Sequence, residues 1–387
     1  MSPRKIAIIG YGFSAKIFHI PFIKHNSNLI LSGIVQRNPT PGNDAAKDHP
    51  DVKVYRSTEE FYKSDGESDV VVITTSNDTH FWYCKEAIDN GKNIIVEKPL
   101  TIRSTDAEEL VNLAKEKGVG ISVYQNRRFD SDFLTLAKVL PRVGELVSLE
   151  THYDRYKPDA TPDASKPWKS TQALGNGTLF DLGVHLLDQV VHLFGMPQRL
   201  FGNVRDERGC STNPSATWGQ EGFVDDFFTA TLFYTATPLR KKPFTVRVEA
   251  STLSCQTPQL RFVLRGVDGS WIKHNLDTQE AQLKAGRMPG TEGFGVEEEE
   301  HFGQLELKDG SIERTVAEVG DYGRFYEKIA EGGVAVPAEE SGFGFRMEGD
   351  PCGQLGVTVY AFFRIERVDG PHKTGTQYQE PSTLKTR

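Results

Sequence analysis

Cysteine is scarce in this chain: four residues in 387, at positions 84, 210, 255 and 352, with no C-x-x-C pair among them. Such scatter supports neither a disulfide framework nor a thiolate metal site, and reduced thiols are the expectation. Long hydrophobic runs are missing as well, since no stretch approaches the ~18–20 apolar residues of a membrane-spanning helix. The basic opening Met1-Ser2-Pro3-Arg4-Lys5 leads into an apolar run of only Ile6 to Ile9 before Gly10. A signal peptide needs an apolar core of ~7–15 residues, so this run is read as a strand. Positive charge is not in excess either: 45 Lys+Arg against 53 Asp+Glu leave −8. A chain without a broad positive field is a poor partner for nucleic acid or anionic membrane. These absences predict a cytoplasmic protein that engages neither.

What is present suits a large folded core. Hydrophobic residues make up 37% and glycine contributes 36 positions, and at ~150 residues per domain the length predicts two or three domains. The first third alternates strand and helix signals. Apolar runs at 5–9, 29–35, 69–74, 93–96 and 120–124 are separated by helical stretches at 14–24, 81–90 and 104–117. Ser57-Thr58-Glu59-Glu60 has the Ser-x-x-Glu form of a helix-opening capping box. Strands spaced by helices in this way predict right-handed βαβ units and a mostly parallel, doubly wound sheet.

The pattern changes after residue 126. A helix at 130–140 and a strand at 145–153 precede a loop rich in Pro, Asp and Lys at 154–176, then a helix at 182–194. Strand-like runs follow at 227–234, 244–253, 260–265 and 270–274 without helices between them, which favours an antiparallel sheet. The predicted fold class is α/β: an N-terminal doubly wound parallel sheet, residues 1–126, and a C-terminal α+β domain on an open, mostly antiparallel sheet, residues 127–368. Residues 369–387 form a polar tail, and 205–222 and 292–300 read as surface loops.

Gly10-Tyr11-Gly12-Phe13-Ser14-Ala15 fits G-x-G-x-x-G/A directly after an apolar strand and at the start of a helix, the context that gives the string meaning. Gly10 allows the tight turn, Gly12 lets a pyrophosphate approach the helix-start amides, and Ala15 permits close helix–strand packing. Beyond the second strand, where an NAD site places an acid on the ribose, the chain reads Gln36-Arg37. Arg37 suits a 2′-phosphate, so NADP is the expected cofactor, with NAD as the alternative.

Glu97-Lys98-Pro99 ends the strand at 93–96, and ligands in a parallel α/β sheet bind beyond the carboxyl ends of strands, so Lys98 points toward a nicotinamide. Asp181 and His185 stand four apart, one face of a helix, and an acid beside a histidine is a proton-transfer pair. The bland alternative is a buried Asp–His hydrogen bond at a helix start. Asp188 and His192 continue that face, but D-x3-H-x2-D-x3-H is a poor ligand signature and no metal is expected.

Together these residues resemble the glucose–fructose oxidoreductase / inositol dehydrogenase / rhizopine-catabolism (Gfo/Idh/MocA) family over about residues 4–335. The resemblance rests on the Rossmann fingerprint, on Thr74-Thr75-Ser76-Asn77 with His80, on Glu97-Lys98-Pro99 and on Asp181 with His185. Phe18-His19 with Pro21, the run from Tyr124 to Phe133, and His192-Leu193-Phe194-Gly195-Met196-Pro197 resemble its NADP-dependent scyllo-inositol dehydrogenase-type branch.

The resemblance implies hydride transfer between nicotinamide C4 and a ring carbon of a polyol or sugar. It implies that Lys98 contacts the cofactor ribose and the reacting oxygen, that Asp181 holds the substrate and that His185 is the acid/base. Gly10, Gly12, Phe13, Ser14, Ala15 and Arg37 would bind the cofactor, Thr75, Asn77 and His80 would line its nicotinamide half, and Glu97 would reach the ribose. Asn126 and Arg127 would close the first domain beside the site, Arg127 touching substrate or cofactor. Asp154, Tyr156 and Trp168 would select the sugar. A homo-oligomer through the C-terminal sheet is also implied.

The chain departs from the family pattern at an apparent insertion over 205–222. It departs again at 342–353, where four glycines and a proline stand in place of a continuing helix and a helical pattern resumes only at 354–367. Two other readings stay open: a cofactor-binding transcriptional regulator without turnover, and an enzyme for a non-sugar substrate such as a dihydrodiol or enone.

Overall fold

The computed structural model describes residues 2–64, 67–159, 175–213, 215–216, 220, 222–236 and 241–340, with 341, 343–349 and 355–361 as backbone. Six strands form the first sheet: β1 (Arg4–Ile9), β2 (Leu29–Val35), β3 (Lys53–Tyr55), β4 (Val70–Ile73), β5 (Asn93–Glu97) and β6 (Ile121–Tyr124). All pairings are parallel, in the order β3-β2-β1-β4-β5-β6. Ile6, Ala7 and Ile8 of β1 and Val71, Val72 and Ile73 of β4 are fully buried. Strands covered on both faces have no solvent side to alternate toward, hence the unbroken apolar runs. The chain winds one way from β1 to β3 and the other from β4 to β6. A crevice therefore opens beyond the carboxyl ends of β1 and β4.

Local signals set the helix boundaries. The helix Ser104–Lys117 stops at Gly118, whose φ of 68° is the left-handed conformation that a Cβ disfavours. Ser57 Oγ accepts from Glu60 N at 3.1 Å, one half of the capping box. The Glu60 carboxylate, however, accepts from Arg56 N rather than from Ser57. The helix expected at 14–24 comes as a wide π turn, Ala15–His19, followed by the α-helix Ile20–His25.

The second sheet has eight strands: β7 (Leu146–His152), β8 (Arg199–Arg205), β9 (Phe227–Tyr234), β10 (Phe244–Ser251), β11 (Leu260–Gly266), β12 (Gly269–His274), β13 (Gly303–Leu307) and β14 (Ile312–Thr315). Their order is β14-β13-β12-β11-β7-β10-β9-β8. Only β7 and β10 run parallel; the other neighbours are antiparallel. Phe228, Ala230, Leu232 and Tyr234 of β9 and Val246, Val248 and Ala250 of β10 point into a core. The helices Ser131–Val139 and Val184–Phe194 close that core through Phe133, Leu136, Leu186, Leu187 and Val190. Each large apolar side chain buried there contributes roughly 1.5–3 kcal/mol. The opposite face is uncovered by these helices. Strand register sets Phe201, Thr231, Arg247, Glu150, Val263 and Ile272 in one row across it.

Two expectations need correction. The helix expected over 354–367 is, at Leu355–Ala361, a strand paired antiparallel with Phe343–Gly349. Its Val-Thr-Val-Tyr run favours extended backbone. The stretch 292–300 is a loop, but not wholly a surface one: Glu297 is buried with its carboxylate 2.7 Å from Lys273 Nζ. A pair this deep tolerates burial because each charge neutralises the other. Strands β3, β8, β13 and β14 carry no strong apolar signal of their own and join the sheets by pairing with neighbours. No described helix is long and apolar enough to cross a membrane.

Candidate active site

The turn after β1 begins the site. Gly10 has φ +100°, and a Cβ there would lie 3.0 Å from Thr74 Oγ1 and 3.1 Å from Thr74 O, so only glycine fits where β1 and β4 diverge. Thr74 Oγ1 donates to Gly10 O at 3.0 Å and fastens the turn to β4. Gly12 differs: a Cβ there would meet no protein atom within 4 Å. The space before it is open, and the first helical bond of this segment runs from Lys16 N to Gly12 O at 3.2 Å. Amides that precede the helical ladder face outward and suit a pyrophosphate. Phe13 is exposed and Ala15 fully buried. This open cradle, with its strict glycine behind it, fits a dinucleotide.

Ser14 and Glu97 are joined across the crevice, Ser14 Oγ donating to Glu97 Oε1. The same carboxylate oxygen lies 3.0 Å from His19 Nε2, and Glu97 Oε2 accepts from Lys98 N at 3.2 Å. Burial opposes charge on Glu97, yet these bonds, the nearby imidazole and Lys98 hold its carboxyl below the usual range. Glu97 therefore ties β5 to the fingerprint helix. At the far end of β2, Gln36 is buried and its amide is spent within the protein. Nε2 donates to Asn43 O and Oε1 accepts from Ala45 N, both at 2.8 Å. Arg37 follows it and is exposed, while Arg56 Nη1 donates to Gln36 O at 3.2 Å. No carboxylate occupies the position after β2.

Lys98 crosses to the second domain. Its Nζ lies 2.8 Å from the main-chain oxygen of Asp181 and 3.4 Å from Asp181 Oδ1. Asp181 sits in a wide π turn, Leu179–Gly183, that opens into the helix Val184–Phe194. Such turns interrupt a helix to aim particular side chains. His185 follows on that helix and is 5% exposed. Buried Asp225 fixes the start of the turn: its Oδ2 accepts from Leu179 N at 2.6 Å, and its main-chain oxygen accepts from Thr178 N at 3.0 Å. Burial raises the Asp225 carboxyl to about 7, against the opposing pull of its amide partners.

The other predicted residues are distributed unequally. Asn77 Nδ2 donates to Gly175 O at 2.8 Å and so spans from the first sheet to the approach of the Asp181 turn. Thr75 Oγ1 accepts from Thr79 Oγ1 at 2.7 Å. His80 is fully buried, its Nδ1 2.7 Å from Pro99 O and its Nε2 3.2 Å from Thr75 O, and burial pushes its pKa down. It braces the Lys98–Pro99 turn from behind. Asn126 is buried, as is Arg127. Arg127 donates to Tyr153 OH at 2.9 Å and to Glu280 at 2.5 Å, with Asp130 at 3.3 Å. Burial works against charge on Glu280, but Arg127 and Lys284 bring its carboxyl down to about 2.

Asp154 and Tyr156 turn away from Asp181. Asp154 Oδ1 accepts from Ser251 N at 2.9 Å and Oδ2 lies 3.2 Å from His152 Nδ1. Tyr156 is 56% exposed beside Leu253. The residue between them faces the site instead: Arg155 Nη2 stands 4.0 Å from Asp181 Oδ2. Arg155 was not among the expected residues, and only the parity of this extended segment reveals it. Trp168 lies outside the described residues.

Among the described residues, His152, Asp154 and Glu249 are close enough to share an ion, as are Asp206, Cys210 and Asp226. Neither group includes Lys98, Asp181 or His185. Asp188 is likewise engaged, since Arg128 grips its carboxylate with Nε at 2.7 Å and Nη2 at 2.8 Å.

Residues 4–125 match the family described as oxidoreductase, NAD-binding Rossmann fold, and residues 141–272 match the GFO/IDH/MocA C-terminal domain. The chain belongs to the GFO/IDH/MocA oxidoreductase family. It is 34% identical over 347 residues to scyllo-inositol 2-dehydrogenase (NADP(+)) IolW of Bacillus subtilis (strain 168), covering 87% of this chain and 89% of that protein. It is also 34% identical over 331 residues to the uncharacterized oxidoreductase YhhX of Escherichia coli (strain K12), covering 84% and 87%. The crystal structure of an oxidoreductase from Bacillus cereus superposes with a TM-score of 0.73 at 30% identity, over 87% of this chain and 92% of the other. An N-terminal Rossmann domain and a C-terminal α+β domain are thus common to this family member and its relatives.

Proposed function

We propose that this oxidoreductase is an NADP-preferring dehydrogenase that moves a hydride between the nicotinamide and a ring carbon of a polyol or sugar, inositol-like or aldose. The observation that carries the reading is Lys98, at the end of β5, meeting Asp181 at 2.8 Å and 3.4 Å, with His185 following on the same helical segment. The name of the Bacillus subtilis relative, an NADP(+)-dependent scyllo-inositol 2-dehydrogenase, supports it.

Gly10, Gly12, Phe13, Ser14 and Ala15 would hold the pyrophosphate, and Thr75, Asn77 and Asn126 would border the nicotinamide half. A nicotinamide held there supplies hydride donation or acceptance. The Lys98 ammonium would stabilise negative charge developing on the carbinol oxygen, and His185 would take the hydroxyl proton as the C–H bond breaks. Asp181 would accept a hydrogen bond from a second substrate hydroxyl. Glu97, His80 and Arg127 serve by position: Glu97 is bonded to Ser14 and His19, His80 to Pro99 and Thr75, and the terminal nitrogens of Arg127 to Asp130, Tyr153 and Glu280.

Preference for NADP rests on exposed Arg37 and the lack of an acid after β2. Guanidinium pairs well with phosphate, whereas a carboxylate there would repel it. The uncovered sheet face, with Phe201 and Ile272 well exposed in its shared row, would pair subunits into a homo-oligomer. The test is absorbance at 340 nm with NADP⁺ and, separately, NAD⁺ against inositols, aldoses and other polyols. Turnover with NADP⁺ that vanishes on Lys98→Ala supports the reading. Tight cofactor binding without turnover across the panel would move a regulatory role to the front.

A further inference from the structure

The arginines around the interdomain cleft are not used alike. Arg127 donates to Asp130, Tyr153 and Glu280, and Arg128 to Asp188 and Glu340. Arg261 donates to Asp132, Thr151, His152 and Gln189. Arg155 breaks the pattern. Among the described residues its guanidinium has one carboxylate, Asp181 at 4.0 Å, beyond hydrogen-bond reach, and one aromatic face, Tyr153, with Cζ 5.4 Å from the ring centre.

Its backbone, by contrast, is pinned. Arg155 N donates to Ser251 O at 2.9 Å and Arg155 O accepts from Ser254 N at 3.1 Å. The Tyr153 ring that it borders also carries Arg127, whose Cζ lies 5.0 Å from the ring centre. The side chain is 30% exposed, enough to meet a ligand and too little to be a freely solvated surface charge. A rooted guanidinium with donors to spare, beside the acid that Lys98 contacts, is poised for a planar anion.

Lys98 and Arg155 flank Asp181, one toward each carboxylate oxygen, while the neighbouring Asp154 Oδ1 accepts from Ser251 N.

We propose that Arg155 is a substrate-specificity residue and that the substrate is a polyol or sugar bearing a carboxylate, which the guanidinium grips in a forked pair while Lys98 and His185 attend the reacting carbinol. The proposal rests on the dehydrogenase reading above and narrows its substrate class.

The experiment sets hexuronates against their parent hexoses (glucuronate with glucose, galacturonate with galactose) in the full-length protein. Dinucleotide-dependent turnover at 340 nm is followed alongside calorimetric binding to the dinucleotide-saturated enzyme. The expected result is a kcat/KM at least 10-fold higher for the uronate, carried by KM and eroded by salt. Arg155→Met should collapse that ratio toward one, and Arg155→Lys should retain part of it. Equal or better use of the parent hexose by the wild type overturns the proposal, as does a ratio unchanged in Arg155→Met. Binding separates the two readings. Uronate that binds through Arg155 without turnover preserves the anion site and removes the dehydrogenase. Uronate that binds no better than hexose removes the anion site whatever the kinetics.

Discussion

Lys98 Nζ lies 2.8 Å from the main-chain oxygen of Asp181, so an ammonium at the end of a Rossmann strand is held by a carbonyl of the second domain, 83 residues further along. Its reach into the cleft is thereby set by backbone and not by a mobile side chain. Lys98→Met should lower kcat by about 10²–10⁴, the range for losing a group that stabilises charge in the transition state. Dinucleotide affinity, read by quenching of protein fluorescence, should change by less than about tenfold. A variant that keeps wild-type kcat would remove Lys98 from the chemistry.

Gly10 and Gly12 should separate in their responses. Gly10→Ala forces a side chain into φ +100° and against Thr74, and strain of this kind costs about 1–3 kcal/mol. Its Tm should fall by several degrees. Gly12→Ala meets open space, so its Tm should hold while dinucleotide affinity drops. Equal Tm losses in the two variants would contradict this account.

Arg37 is exposed and follows a glutamine whose amide is bonded to Asn43 and Ala45. Arg37→Ala should raise the KM for NADP⁺ by about tenfold, on the scale of one charge-assisted contact, and leave the KM for NAD⁺ nearly unchanged. Parallel increases for both cofactors would dissociate Arg37 from the 2′-phosphate.

Asp225 predicts a pH effect with a definite sign. Its carboxyl sits at about 7 in the fold, raised by burial, against ~3.9 when unfolded. Between those values the folded state keeps a proton that the unfolded state has lost. The stabilisation is therefore complete below about pH 4 and disappears as pH rises through 7, at up to ~1.4 kcal/mol per pH unit. Asp225→Asn imitates the protonated form, so urea midpoints at pH 5, 6.5 and 8 should fall less steeply than in the wild type. Parallel pH dependences would show that Asp225 titrates normally.

The segment 153–156 shows where sequence reading stops. Composition marks 154–176 as a loop, and only the family resemblance makes Asp154 and Tyr156 substrate candidates. Extended backbone alternates its side chains, so pairing with 251–254 puts Tyr153 and Arg155 toward Arg127 and Asp181 and turns Asp154 and Tyr156 away. That parity depends on strand partners about a hundred residues distant.

By itself the sequence determined the elements whose causes are local. The βα turn needs glycine at its own φ, parallel strands covered on both faces show as apolar runs, and glycine ends helices within one turn. It also supplied the residue types at 98, 181 and 185. Tertiary structure alone decided which charges are spent and which are available. Glu97 is bound to Ser14 and His19, Glu297 to Lys273, Arg127 to Glu280, and Arg155 retains donors beside Asp181. The reason is physical. A buried charge is stable only with a partner, and the partner is chosen by proximity after folding, not by neighbourhood along the chain.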